Sequence, residues 1–173
     1  MAGSPRTSGK ASRRTGRRPL DHGHGPRPGT GSPPALPMVD QPTPPFQQLD
    51  FVYTPSRDVA ADLAYFTKVL GGRVVFAVEA MGTRVAAIEL TPGPPLLLLA
   101  DHLGGERPIL VYRVADLDAA LAELEAHGWQ RQQTLEIPHG PCCSFRSPGG
   151  HQIALYQLTR PEVATHFEGR RDF

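Results

Sequence analysis

Cysteine is nearly absent from this chain: of 173 residues only two are cysteines, the neighbours Cys142 and Cys143. Adjacent residues of an extended strand point to opposite faces, so the pair is badly placed to bridge and there is no disulfide framework. A reducing, cytoplasmic setting is the expectation. Aromatic residues are few, at 7%, with a single Trp. Charge of one sign is lacking too: 18 Lys and Arg against 17 Asp and Glu give a formal +1. No global field is available to recruit nucleic acid or an anionic membrane. Long apolar runs are missing. Pro94-Pro95-Leu96-Leu97-Leu98-Leu99-Ala100 is too short for a signal-peptide core or a membrane span and reads as a buried strand.

What charge there is lies unevenly. Residues 1–37 are rich in Arg, Pro, Gly and Ser, hold Asp21 as their one acid, and show no apolar periodicity. Residues 1–42 are therefore read as a disordered basic extension. Two accounts of it stand: a basic arm for nucleic acid, or a solvated tail preceding a true start at Met38. No aromatic residues interleave with the arginines, which weakens the first.

Beyond that point the chain repeats itself. Phe51-Val-Tyr-Thr-Pro-Ser-Arg-Asp58 aligns with Ile109-Leu-Val-Tyr-Arg-Val-Ala-Asp116, and the match runs on through Phe66 and Leu124. Each copy reads strand, Asp, amphipathic helix, Gly, then more strands. In the first, a strand over 49–54 stops at Pro55, and Asp58 caps a helix whose stripe is Val59, Leu63, Phe66 and Leu70. Gly71-Gly72 ends it. Strands over 73–79, 83–90 and 95–100 follow, with turns at Met81-Gly82 and Pro92-Gly93. In the second, a strand over 109–114 leads to Asp116, which caps a helix with Leu117, Leu121 and Leu124 as its stripe; His127-Gly128 ends it. Strands over 130–137, 142–146 and 152–157 complete the unit, joined by 138–141 and 147–150. The tail after Arg160 is polar and carries no periodic signal. The predicted fold class is α+β, two tandem βαβββ modules (43–104 and 105–160, with a tail over 161–173) sharing a curved, mostly antiparallel eight-stranded sheet, helices outside and a concave face inside.

Asp58-Val-Ala-Ala-Asp-Leu-Ala-Tyr-Phe-Thr-Lys-Val-Leu-Gly71 and Phe145-Arg-Ser-Pro-Gly-Gly-His-Gln-Ile-Ala-Leu155 resemble the helix and last-hairpin signatures of the vicinal oxygen chelate superfamily. That superfamily includes glyoxalase I, extradiol dioxygenases, methylmalonyl-CoA epimerase and bleomycin-resistance proteins. The resemblance covers the whole repeat, and its motifs mark a fold rather than a reaction. It implies a divalent metal held by His, Gln or Glu early in the first strand of each module and by Glu or a similar residue in the last. Here those positions are Phe51, Leu98, Ile109 and Ala154, none with a donor atom, whereas a divalent ion needs several converging ligands. No cofactor is expected; a metal displaced onto His102, His139 or His151 is the alternative.

Strand alternation predicts an inner face bearing Phe51, Tyr53, Ile109, Val111, Arg113, Gln152, Ala154 and Tyr156, with Val52, Leu110, Tyr112, Val114, Ile153 and Leu155 packed outward. The candidate ligand contacts are Phe51, Tyr53, Val111, Arg113, Gln152 and Tyr156, an apolar hollow with a few polar points. Arg113 would meet a ligand carboxylate, phosphate or enolate, or else pair with Glu79, Glu89 or Glu136. Catalytic candidates are Glu136 as a base, and His139 with Cys143 as a Cys/His pair; against these, strand carboxylates are commonly exposed, and adjacent cysteines are commonly small buried side chains. Trp129 is expected to seal the core.

The leading expectation is a cytoplasmic, metal-free binder of a partly apolar small molecule, as in the resistance-type relatives. Their pockets form between two chains, which implies a homodimer; no nucleic-acid or membrane partner is expected. The alternatives are an enzyme, whether a glyoxalase-type lyase, isomerase or dioxygenase or a metal-independent acid/base catalyst, and a protein-interaction domain whose cup is filled by its own side chains.

Overall fold

A computed structural model of the chain describes residues 45–173. The basic extension, the start at Met38 and the first residues of the first module lie outside the described residues. The elements are β1 (Phe46–Pro55), α1 (Val59–Lys68), β2 (Arg73–Ala80), β3 (Thr83–Glu89), β4 (Leu96–Ala100), β5 (Ile109–Val114), α2 (Leu117–Ala126), β6 (Thr134–Ile137), β7 (Gly140–Arg146), β8 (Gln152–Gln157) and α3 (Val163–Phe167). All eight strands form one sheet, in the order β2-β3-β4-β1-β5-β8-β7-β6. Each repeat supplies four consecutive strands of that order. They meet at the antiparallel β1–β5 pair, while β1–β4 and β5–β8 are parallel. The architecture is the predicted one.

The helices start where the repeat puts an acid. Asp58 accepts a hydrogen bond from the Ala61 amide at 3.0 Å, and Asp116 from the Ala119 amide at 2.9 Å, each satisfying an orphan donor of the first turn. From β8, Gln157 Oε1 accepts from the Leu117 amide at 3.1 Å, fastening α2 to the sheet. Beneath α1 lie Val59, Ala77, Ala86, Ile88 and Leu99; beneath α2 lie Val114, Leu117, Ala120, Leu121, Cys143 and Leu155. Leu121 and Leu155 are wholly buried, each worth about 2 kcal/mol of transfer free energy. Trp129 packs on this second cluster, its ring 5.1 Å from that of Phe145, in its expected role.

Several boundaries differ from the expectation, each for a physical reason. β1 begins earlier, at Phe46, because that ring stacks on Tyr112 at 5.2 Å beside the α2 cluster. α1 ends at Lys68, so Leu70 falls outside the helix and is 52% exposed instead of extending the buried stripe. β6 starts at Thr134 rather than at 130, since it pairs only with residues 140–143 of β7. Gly140 and Pro141 belong to β7, which leaves Pro138-His139 as the turn.

The largest difference is the tail. It is structured, and it ties together the two ends of the strand order. At the β6–β7 turn, the amides of Thr159 and Arg160 donate to the His139 carbonyl at 3.0 and 3.1 Å, and Arg160 Nε donates to the Pro138 carbonyl at 2.7 Å. After α3, the Gly169 amide donates to Val75, Ala77 to Arg170 and Asp172 to Ala77, making a parallel bridge between Ala77 and Arg171. Phe167 lies on Phe76 at 5.4 Å, and Phe173 packs on the cluster beneath α1. The stretch from Arg160 to Gly169, with one helical segment in it, spans at most about 22 Å. A flat sheet would separate its attachment points by about 30 Å. The sheet must therefore curve, and the tail holds it so while covering the exposed donors and acceptors of edge strand β2.

Removing residues 168–173 is expected to lower the unfolding free energy by about 2 kcal/mol or more, through lost backbone bonds and the Phe173 contact. It should also promote self-association through the bared β2 edge. Chemical denaturation and sedimentation velocity check this; an unchanged midpoint and a monomeric profile would contradict the strap.

Candidate functional site

The face away from α1 and α2 is built by alternation, and the pairing register identifies its members. Phe51 stands opposite Val111, Tyr53 opposite Ile109, Val111 opposite Ala154, and Arg113 opposite Tyr156. Val111, Cys142, Ala154 and Tyr156 form its buried floor, with Phe51, Tyr53, Ile109, Ile137 and Leu158 packed against them. The structure thus brings all six candidate ligand contacts to one face, Gln152 included, since it pairs with Ile109. Across β4 and β3 the same face continues through Leu98, which pairs with Tyr53 and with Ala87. Leu98 and Ala87 extend the face as hydrocarbon over β4 and β3.

One residue of this face does not follow from alternation. β1 carries register shifts between Phe46 and Gln48 and between Leu49 and Phe51. The second is a bulge that adds Asp50 as an extra residue and turns it inward. Asp50 is 8% exposed, and its carboxylate is surrounded by donors. The Tyr156 hydroxyl donates to Oδ2 at 2.5 Å, Gln48 Nε2 donates to Oδ1 at 2.7 Å, and Arg113 Nε stands 3.4 Å from Oδ2. A buried carboxylate is costly unless its charge is met in this way.

That network reassigns two candidates. Arg113 pairs with Asp50, not with Glu79, Glu89 or Glu136. Its side chain stays 32% exposed, reaching Asp50 through Nε at the nearest approach, so a guanidinium beside a buried acid remains open to solvent on a largely apolar face. Tyr156 is 2% exposed and its hydroxyl is committed to Asp50. Burial first, and then the Asp50 hydrogen bond and charge, push that phenol well above its ordinary range, with Arg113 opposing. Tyr156 is therefore a brace beneath the site rather than a ligand contact. Tyr53 is reachable but engaged, its hydroxyl 3.0 Å from His102 Nε2; burial, and secondarily Asp101, push its phenol up to about 12.

The catalytic candidates separate. Cys142 and Cys143 point to opposite faces as expected, Cys142 into the floor and Cys143 into the core beneath α2. Burial pushes the Cys142 thiol up to about 11 and raises Cys143 as well, so neither is a thiolate near neutral pH. Cys143 is fully buried, and the candidate Cys/His pair with His139 does not form, because the cysteine lies on the other side of the sheet; the alternative of small buried cysteines holds. Glu136 alternates with Ile137, which faces the floor, and pairs with Arg160 at 2.6 Å as a 60% exposed side chain. Glu79 and Glu89 likewise pair with Arg84 and Arg73 at the strand surface. His139 does reach the inner face, its ring 5.6 Å from Phe51 and 6.2 Å from Tyr156. Burial lowers its pKa, Arg160 acts in the same sense and Asp50 opposes, so it is a neutral ring in an aromatic cluster.

The superfamily's metal positions, Phe51, Leu98, Ile109 and Ala154, all belong to this face and offer only carbon, so the residues present do not fit a divalent ion there. His102, His139 and His151 do not come together either: among the described residues no group of three or more His, Cys, Asp or Glu side chains converges.

The Asp50 network carries a measurable expectation. Asp50→Ala leaves the Tyr156 hydroxyl without its acceptor and should cost about 2–4 kcal/mol of stability. Tyr156→Phe should cost about 1–2 kcal/mol. In a double-mutant cycle followed by urea denaturation the two losses should fall short of additive by about 1 kcal/mol or more; strict additivity would show that the hydrogen bond does not form in solution.

No protein-family model matches this chain, and no curated protein matches it. Its similarity is to solved structures. Methylmalonyl-CoA epimerase from Mycobacterium tuberculosis superposes with a TM-score of 0.57 at 21% identity, over 71% of this chain and 95% of that one. A hypothetical protein from Bacillus halodurans gives 0.56 at 14% identity, over 65% and 95%. The Streptomyces coelicolor methylmalonyl-CoA epimerase, solved with 2-nitronate-propionyl-CoA, gives 0.53 at 17% identity, over 66% and 99%. No helix among the described residues is long and apolar enough to cross a membrane. Similarity at this level speaks for architecture, and it joins the tandem βαβββ repeat and the two signatures in one conclusion: the chain has the fold of the vicinal oxygen chelate superfamily.

Proposed function

We propose that this chain binds a small, partly apolar organic anion on the inner face of the sheet, without a metal. The observation that carries the proposal is the buried Asp50 holding the partly exposed Arg113 on the same sheet face as Phe51 and Ile109. A guanidinium fork suits a carboxylate or enolate, and the partly exposed Phe51, Ile109 and Leu98 offer an apolar bed on the same face. Gln152 and Tyr53 supply polar contacts further along. An acyl-CoA analogue held by a protein of the same fold supports a ligand of this kind. In place of a Lewis acid, the cation of Arg113 meets the ligand's charge. Binding rather than turnover is the preferred reading, because the acid and phenol closest to Arg113 are bonded to each other and withdrawn from solvent.

A second reading has its own support: the rings of Phe51, His139 and Tyr156 occupy part of the hollow, as a self-filled interaction domain would require.

Decanoate, which has one carboxylate and one apolar body, separates the two. Calorimetric titration should show saturable binding of decanoate, weakened at least tenfold by Arg113→Ala, a loss of about 1.4 kcal/mol or more. The affinity should be unchanged by EDTA, and dialysis against excess zinc should leave far less than one metal per chain. Failure of decanoate to bind would favour the self-filled cup. Chelator-sensitive binding with stoichiometric zinc would overturn the metal-free reading.

A further inference from the structure

A second cationic place lies at the opposite end of the same face. An open cleft of about 670 Å³ is bounded by Gly105, Arg107, Ile109, Arg146, Gly150 and Gln152, with Glu106 at its rim. Ile109 and Gln152 begin β5 and β8 and stand side by side, and Arg146 pairs with Gln152 across β7–β8. The cleft therefore continues the inner face and is not a separate hollow on the outside.

Its two arginines are placed differently. Arg107 Nη1 donates to the Gly149 carbonyl at 2.9 Å, which seats the guanidinium on the β7–β8 hairpin. Gly150 makes room for it: its φ is +79°, and a Cβ there would lie 2.6 Å from Arg107 Nη1. The Gly149-Gly150 pair thus does more than turn the hairpin. The Arg146 side chain forms no hydrogen bond or ion pair with the other described residues. The acid at the rim, Glu106, is paired with Arg57 at 3.3 Å, so it does not neutralise either arginine directly.

The spacing of the two cationic places follows from the register. Arg113 and Tyr156 form one cross-strand row, and Ile109, Gln152 and Arg146 form another. The rows are four residues apart along the strands, about 13 Å. Between them lie Val111 and Ala154, both apolar and buried.

Resting on the reading of Arg113 as an anion contact, we infer that the ligand is a two-ended anion: one charged group meets Arg113, a second meets Arg107 and Arg146 at the mouth, and an apolar spacer lies against the partly exposed Phe51 and Ile109, which pack on Val111 and Ala154. The second group is a carboxylate or phosphate, since both accept from guanidinium forks.

Decanedioate and decanoate differ only in the second carboxylate and are the probes. Calorimetry on the full chain should give at least tenfold tighter binding of decanedioate. The ratio of the two affinities should fall towards one in the Arg107→Ala, Arg146→Ala double variant. It should also fall in Gly150→Ala, which keeps both charges but displaces Arg107; circular dichroism confirms that each variant is folded. Arg113→Ala should weaken both probes. Equal affinities for the two probes, with decanoate still sensitive to Arg113→Ala, would overturn the two-ended ligand and leave the binding function standing. Decanoate binding that ignores Arg113→Ala would overturn the function and this inference together. A ratio kept intact in the double variant would place the second charge elsewhere.

Discussion

The site depends on one buried carboxylate. Asp50 reaches the inner face only because β1 bulges there, and once inside it needs every donor around it. Tyr156 and Gln48 supply full hydrogen bonds, and Arg113 supplies a nearby charge. The consequences run in both directions. The network fixes the β1–β5–β8 junction, where the two repeats meet, and it orients the cation that gives the hollow its chemical character. A polar cluster of this kind is stabilising only when complete, which ties the integrity of the fold to the geometry of the site.

The two repeats have diverged in what they give that face. The first contributes Leu98, Ala87 and the ring of Phe51, with Asp50 and Tyr53 as polar groups on β1, and the second contributes Arg113, Gln152 and Arg146 beside the apolar Val111 and Ala154. A pseudo-symmetric scaffold thus carries a mixed surface, apolar with a few polar points, suited to an amphipathic molecule. The tail adds a constraint from outside the repeat. By joining the β6–β7 turn to β2, it holds the sheet bent.

Much of this was readable in the residues. The repeat, the capping acids Asp58 and Asp116 and the glycines after each helix mark the elements because each meets a local backbone need. The limits of β5 and β8 followed from the turns beside them. The inward set Phe51, Val111, Ala154 and Tyr156 followed from a period of two, which holds wherever pairing is regular. Asp50 was not readable for the same reason: a bulge breaks the period, so alternation counts the residue as outward, and the partner of Arg113 was sought among the glutamates. Nothing local in the sequence announces that bulge. The tail was missed because its order comes from backbone bonds to β2 and two distant Phe contacts, not from any periodicity of its own. Leu70 was misjudged because the two residues before Gly71 already leave the helix. Residues 130–133 were misjudged because a strand needs a partner, and β7 gives β6 only four residues.

The most direct test of the account is the NMR signal of the Arg113 Nε–H group, followed while decanoate is added to the folded protein. The account predicts a resonance that moves with saturating ligand at the calorimetric midpoint while the Tyr156 hydroxyl proton stays bonded to Asp50. A resonance that remains still while decanoate saturates elsewhere would contradict the claim that a buried carboxylate holds this arginine ready for an anion.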